Sequence, residues 1–322
     1  MKSIGVIGQG FVGGALSEGM KHVFNVYSYD IKNPFEIKET ELGSGNVSMI
    51  TLPYYTASSE DTIEIKQGKS LLYVNNPYRK IAQIVDGPIF LCVPTPMNSD
   101  GSCNTSIVEK IVEEFDSLKM DLVLVVKSTV IPGTVEKLNE KYKNVQICFN
   151  PEFLTEANAV EDFKNQDRII IGGPRPGSSI VKQVFMRAFP SVPITKTGST
   201  TAEMIKYVTN CFLASKVSFA NEMKQVCDQL DIDYDKVIEY ATKDKRLGES
   251  HWSVPGPMPA SDGSGNLLPG FGGSCFIKDL NALINKAKEL GVDPKVMKAV
   301  WEKNLEVRPE RDWEKLIGRA VC

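Results

Sequence analysis

The chain is 322 residues long, 42% hydrophobic and 24% charged, with a formal net charge of −3. This is the balance of a folded globular protein, and the length exceeds what a single core serves, which points to two domains. Acidic and basic residues are interspersed, so there is no electrostatic case for a nucleic-acid partner, and no apolar run nears the ~20 residues of a membrane-spanning helix.

Residues 3–7 form a short β-branched run that leads into Gly8-Gln9-Gly10-Phe11-Val12-Gly13 and then a helical stretch over 11–21. FNVYSYD follows as a strand ending on Asp30. Strand, glycine-rich turn, helix, and an acid after a second strand together form the fingerprint of a dinucleotide-binding Rossmann unit; the glycines alone are shared by many unrelated turns. Over 31–86 the pattern is weak; VSMITLPYY and KSLLYVNN read as strands, and no function attaches to them. The α/β rhythm then resumes. PIFLCV (88–93) reads as a strand, NTSIVEKIVEEF as an amphipathic helix, and DLVLVVKST (121–129) as a strand buried on both faces. Pro132 is expected to open a helix. VQICFN (145–150) and RIIIGG (168–173) are further strands, with a helix over 178–188.

From Ser199 one long helix is expected to run to about Leu230, with Ile205, Val208, Phe212, Phe219, Met223, Val226 and Leu230 at helical spacing. Such a stripe suits an interdomain or dimer core. DIDYDKVIEYATKD is a second helix. A Gly/Pro/Ser-rich loop over 248–274 precedes two more, over 275–290 and 293–307. The fold class is thus α/β: a doubly wound Rossmann domain over 1–196, an all-helical substrate and dimerisation domain over 197–303, and a tail over 304–322.

Seven cysteines occur without a CxxC pair, and His22 and His251 are the only histidines, so no metal site is expected. Cys92 and Cys148 lie in apolar runs and read as reduced core thiols, which suits a cytoplasmic enzyme. SIGVIG passes straight into the glycine turn and does not read as a signal peptide.

In a doubly wound sheet, ligands bind beyond the carboxyl ends of the strands. Three strands here end in VPTP (93–96), KSTVIPGT (127–134) and NPEFLTEANA (150–159), placing Thr95, Thr129 and Glu152 on that edge. Ordinary turn chemistry accounts for any one of them; three on one edge point to a site. Cys275 stands in GFGGSC directly before a helix, where free N–H groups stabilise a thiolate and the glycines admit a substrate close to the backbone. Lys206 and Asn210 are one turn apart and share a face; a solvated lysine beside an asparagine satisfies that spacing equally. No role is assigned to His251 or Trp252.

Taken together, GQGFVG, Asp30, VPTP, KSTVIPGT, NPEFLTEANA, EMIKYVTN and GFGGSCFIKD resemble the UDP-glucose/GDP-mannose dehydrogenase family, in that family's order, from Gly8 to about Leu290. The resemblance implies a two-step, four-electron oxidation of a nucleotide-sugar C6 alcohol to a carboxylate, with two NAD consumed. It makes Cys275 the nucleophile, Lys206 the oxyanion stabiliser and Asn210 a holder of the sugar or a water. Thr129 and Asp279 position a catalytic water, and Glu152 acts as acid or base in thioester hydrolysis. NAD falls to Gly8, Gly10, Phe11, Val12, Gly13, Asp30, Val93, Thr95, Ser128, Thr129 and Lys278, with Asp30 on the adenosine ribose. The substrate falls to Glu152, Phe153, Leu154, Lys206, Asn210, Phe271, Gly272 and Gly273, with Arg246 reaching it across a homodimer formed through the long helix.

The chain also departs from the family pattern. Members usually continue into a second Rossmann-like domain that grips the nucleotide, and that domain is expected to be absent here. The loop between Arg246 and GFGGSC is longer than usual, Thr155 stands where a basic residue is common, and 31–86 lacks the usual pattern. Cofactor binding and covalent chemistry are therefore expected to be better kept than nucleotide-sugar affinity. Two other readings share the Rossmann start: a two-electron dehydrogenase of the β-hydroxyacid or 6-phosphogluconate kind, which needs no cysteine, and a non-catalytic NAD-binding relative.

Overall fold

The structure is a computed structural model and describes residues 1–33, 36–42, 46–51, 76–257 and 265–322. The chain forms two compact units. The first comprises Met1–Val93, Ser106–Ser128 and Pro132–Glu203; the second comprises Pro94–Thr105, Thr129–Ile131 and Met204–Cys322.

The strands are β1 (Ser3–Ile7), β2 (Asn25–Tyr29), β3 (Glu36–Thr40), β4 (Val47–Thr51), β5 (Ile89–Leu91), β6 (Leu122–Val126), β7 (Val145–Phe149), β8 (Ile169–Gly172) and β9 (Ile194–Thr197). The helices are α1 (Phe11–Met20), α2 (Pro77–Ile84), α3 (Ser106–Ser117), α4 (Thr134–Lys141), α5 (Ala159–Lys164), α6 (Gly177–Ala188), α7 (Ser199–Gln229), α8 (Tyr234–Ala241), α9 (Cys275–Glu289) and α10 (Lys295–Val307).

In the first unit the strands make one sheet in the order β4-β3-β2-β1-β5-β6-β7-β8-β9. The run β2-β1-β5-β6-β7 is parallel, and the strand order reverses at β1, which makes its carboxyl end the switch point where ligands bind. β1 and β5 are buried along their whole length, which explains their uninterrupted apolar sequences. Ile4, Val6, Leu16, Met20, Phe24, Phe90, Phe163 and Phe185 fill the core. Gly19 is needed where α1 meets α5: a Cβ there would stand 2.3 Å from the Phe163 ring.

The second unit is built on α7, 31 residues long. Tyr207, Cys211, Ala214 and Val217 of this helix pack with Ile277, Leu280 and Ile284 of α9, Val300 of α10 and Trp313, and Met97, Cys103 and Ile131 close the same core.

Several expectations change. Pro132 does not open α4: Gly133 takes a left-handed conformation (φ 96°) as N-cap, and the helix begins at Thr134. Most of the apolar stripe on α7 stays outside the chain's own core, although Met223 packs beside Ala220, Cys227 and Tyr234 and Phe219 meets the Trp252 ring edge-on. Val208, Phe212, Phe219 and Leu230 are 54%, 64%, 52% and 62% exposed, whereas Ala202, Lys206, Tyr207, Asn210, Ala214 and Asn221 are buried. β3, β9, α2 and α5 were not anticipated. Of the two strands expected over 31–86, VSMIT is realised in β4, while KSLLYVNN lies, except for Asn76, outside the described residues.

Candidate active site

The glycine turn after β1 is shaped by contact distances. An added Cβ at Gly13 would lie 1.9 Å from the Gly8 carbonyl oxygen, and one at Gly8 would lie 2.6 Å from that of Cys92, so α1 can press on the turn only with glycine at both places. At Gly10 a Cβ would meet nothing within 4 Å: this face is open for a ligand to approach the backbone. Gly10 is the N-cap of α1, no side chain caps that end, and such a terminus favours an anion. At the end of β2, Asp30 accepts from the Gln9 amide at 2.6 Å through one carboxylate oxygen and from the Lys32 amide at 2.9 Å through the other, which fixes an acid beside the turn. A pyrophosphate at the helix start and a ribose at Asp30 fit this arrangement.

Further along the same sheet edge, Ser128 donates to the Val93 carbonyl at 2.6 Å. The buried Lys127 ammonium donates to Asn150 Oδ1 at 2.8 Å, and Asn150 Nδ2 donates to the Ile170 carbonyl at 2.7 Å. Glu152 is buried, and its Oε2 accepts from the Leu154 amide at 2.8 Å. Phe153 lies against the Arg168 guanidinium at 4.3 Å. Burial pushes the Cys92 thiol up to about 12, with Lys127 opposing the shift and Glu152 adding to it. Such a shift disfavours the thiolate at Cys92.

The second unit gathers the other expected residues. Cys275 is the first residue of α9 and is partly exposed, with its sulfur 3.8 Å from Ser274 Oγ. One turn on, the Lys278 ammonium meets Asp279 Oδ1 at 2.6 Å. Burial works to lower the Lys278 pKa, yet Asp279, Cys275 and Cys103 together hold it above the ordinary lysine value. Asp279 is 1% exposed, and its other oxygen accepts from Asn210 Nδ2 at 2.6 Å. The fork Lys278–Asp279–Asn210 thus ties α9 to α7 beside the cysteine, and Lys206 is buried one turn before Asn210. Thr129 and Thr95 belong to this unit too: Thr95 Oγ1 donates to the Thr129 carbonyl at 2.7 Å. Arg246 is not gathered with them. Its side chain is 88% exposed and is forked onto Asp244, with Nε 2.9 Å from Oδ1. Among the described residues, no group of three or more His, Cys, Asp or Glu side chains is placed to hold a metal ion.

Residues 2–188 match the NAD-binding domain of the UDP-glucose/GDP-mannose dehydrogenase family, and residues 200–306 match its central domain. The chain belongs to this family. Its cofactor is NAD, and it is an NAD-dependent dehydrogenase. It is 30% identical over 319 residues to the UDP-glucose 6-dehydrogenase of Rickettsia conorii, covering 98% of this chain and 69% of the relative. Among solved structures, a UDP-glucose dehydrogenase from Pyrobaculum islandicum superposes with a TM-score of 0.71 at 26% identity, covering 95% of this chain and 68% of that one. The fold is also shared with Mycobacterium tuberculosis 3-hydroxyisobutyrate dehydrogenase, at a TM-score of 0.65 and 14% identity, covering 97% and 96% of the two chains.

The family motifs do not account for every polar group near the cysteine. Cys103 lies 3.8 Å from the Thr129 carbonyl with Tyr207, Lys278 and Asp279 around it, and burial raises its thiol pKa. The Tyr207 hydroxyl is fully buried beside Cys103, and burial, first, and then Cys103 and Asp279 hold its pKa well above the ordinary value. Nothing in SCNTS or EMIKYVTN signals this: the residues meet only through tertiary packing.

Proposed function

We propose that the chain oxidises the C6 alcohol of a nucleotide sugar to the carboxylate, of the UDP-glucose to UDP-glucuronate type, through covalent intermediates on Cys275. The observation that carries this reading is a partly exposed thiol at the first position of a 15-residue helix, flanked by the Lys278–Asp279–Asn210 fork, in a chain of this family. A helix N-terminus and a nearby ammonium both favour the thiolate over the thiol.

Bound NAD supplies the hydride acceptor for each of the two oxidations. In the first, the alcohol loses a proton and a hydride and becomes an aldehyde. The Cys275 thiolate then adds to the carbonyl carbon, and Lys206 stabilises the resulting oxyanion. That tetrahedral adduct loses the second hydride and becomes a thioester on Cys275. Water, held by Thr129 and Asp279 and activated by Glu152, attacks the thioester carbon, and the thiolate leaves. The carboxylic acid and the free cysteine are the products, and two NADH are formed per sugar.

Incubation with NAD and UDP-glucose should release two NADH per sugar oxidised, and Cys275→Ala should abolish acid formation. A folded Cys275→Ala variant with full NADH production would instead assign the chain to two-electron dehydrogenases that work from a Lys206/Asn210 couple. The exposed stripe of Val208, Phe212, Phe219, Val226 and Leu230 supports a homodimer formed through α7; a monomeric mass at micromolar concentration would remove that part of the proposal. Among the described residues no helix is long and apolar enough to cross a membrane.

A further inference from the structure

The turn that delivers Cys275 is held by side chains from three other places in the second unit. The Gly270 amide donates to Asn221 Oδ1 at 3.2 Å. Asn304 pairs with both backbone groups of Phe271, accepting its N–H at 2.7 Å and donating to its carbonyl at 3.0 Å. The Gly273 amide donates to Asp312 Oδ2 at 3.1 Å. Arg308 donates through Nη1 to the Pro269 carbonyl at 3.2 Å and through Nε to Asp312 Oδ1 at 2.6 Å. Asn304 and Arg308 are 0% exposed, Asn221 3% and Asp312 8%. The fit leaves no slack at Gly272, where a Cβ would stand 2.6 Å from Arg308 Nη2 and from both Asp312 oxygens.

A buried ion pair is a weak source of stability, because desolvation offsets most of its attraction. Four buried polar side chains spent on the backbone of one short turn therefore call for a reason other than stability. Arg308 Nη2 is left buried without a partner, so the pair is not optimised even for its own hydrogen bonding. What the cluster does is fasten the backbone at Pro269, Gly270, Phe271 and Gly273, with Cys275 two residues beyond.

We propose that Arg308 and Asp312, with Asn304 and Asn221, are positioning residues that fix the GFGGSC turn and so set the place and reactivity of the Cys275 sulfur. None of them touches the reacting atoms. The inference rests on the assignment of Cys275 as nucleophile for its effect on turnover, but not for its effect on the sulfur itself.

Asp312→Asn tests this, because it keeps the side chain's shape, removes the charge that holds Arg308 and leaves one acceptor where the carboxylate offers two, to Arg308 and to the Gly273 amide. Three quantities are read on the full chain: the rate at which iodoacetamide modifies Cys275, followed by peptide mass spectrometry; kcat and the KM for NAD; and the melting temperature. The expected result is a change of about tenfold or more in both the Cys275 modification rate and kcat, since a misplacement of ~1 Å costs on the order of 100-fold. KM for NAD should stay within about twofold, because the glycine turn and Asp30 belong to the other unit. A folded Asp312→Asn with wild-type modification rate and kcat overturns the proposal, as does a loss of kcat matched by weakened NAD binding. Should that variant not fold, Arg308→Lys, which retains a cation facing Asp312, is judged by the same outcomes. If Cys275→Ala keeps full activity, the nucleophile assignment fails, while the modification rate still decides whether the cradle controls the sulfur.

Discussion

Replacing Glu203 with glutamine should alter how stability depends on pH, in a direction fixed by the structure. Glu203 is 0% exposed and caps the start of α4, with Oε2 accepting from the Gly133 amide at 2.6 Å and Oε1 from the Val135 amide at 2.9 Å. No cation pairs with it among the described residues. Burial raises its pKa, the backbone amides of Val135, Gly133 and Thr134 pull the other way, and Glu136 adds to the rise; the net move is from 4.5 to about 7. At ~1.4 kcal/mol per unit this is a difference of ~3 kcal/mol between protonation states. Because the folded pKa is raised, the fold holds this proton more tightly than the unfolded chain does. The contribution is fully present below the unfolded value, declines as pH rises through the folded one, and is gone above it. Glutamine imitates the protonated form at every pH but turns an NH2 group toward one of these amides, a loss of ~1 kcal/mol. Urea unfolding at pH 5 and pH 8 should therefore show the variant slightly weaker than wild type at the lower pH and more stable at the higher one, with the difference moving by roughly 2–3 kcal/mol. Taking the difference cancels every other titrating group. An offset that is the same at both pH values would refute the reasoning.

Other substitutions give further expected outcomes. Gly13→Ala drives a methyl to 1.9 Å from the Gly8 carbonyl; isothermal titration should show NAD affinity falling by at least about tenfold as α1 is forced off the turn. Asn210→Ala leaves one oxygen of the buried Asp279 carboxylate without its donor, which should cost ~1–3 kcal/mol in chemical denaturation and lower kcat more than the KM for NAD. Phe212→Glu, on the exposed stripe of α7, should convert the proposed dimer to monomer in sedimentation while leaving the melting curve of the single chain within a few degrees.

How legible these features were depended on whether their cause was local. β5 (IFL) and β6 (LVLVV) could be read directly because strands covered on both faces have no polar positions to break the run. β3 (EIKET) and β9 (ITKT) sit toward the edges of the sheet, carry charge, and resemble loop in sequence. The end of α4 nearest Pro132 was misread because its cap comes from Glu203, 70 residues away from Gly133. On α7 the spacing of large apolar residues was read correctly, but burial followed the smaller and polar residues on another face. In the candidate site, the glycine turn, Asp30, Thr129, Asn210 and Asp279 could be put forward from motif order. The fork at Asp279 and the cradle under Phe271 were not, because Arg308 and Asp312 look like surface charge until the chain brings them 39 residues back to Pro269 and Gly273.

The second unit is not a stretch of chain that one cut could release. Met97, Cys103 and Ile131 fill its core, yet these residues interrupt the sequence of the first unit. A fragment starting at Met204 would carry all of α8, α9 and α10 but expose the apolar surface those residues cover, and it would lack Thr95 and Thr129 altogether. Such a fragment is expected to aggregate when expressed alone and to be rescued by peptides spanning 94–131.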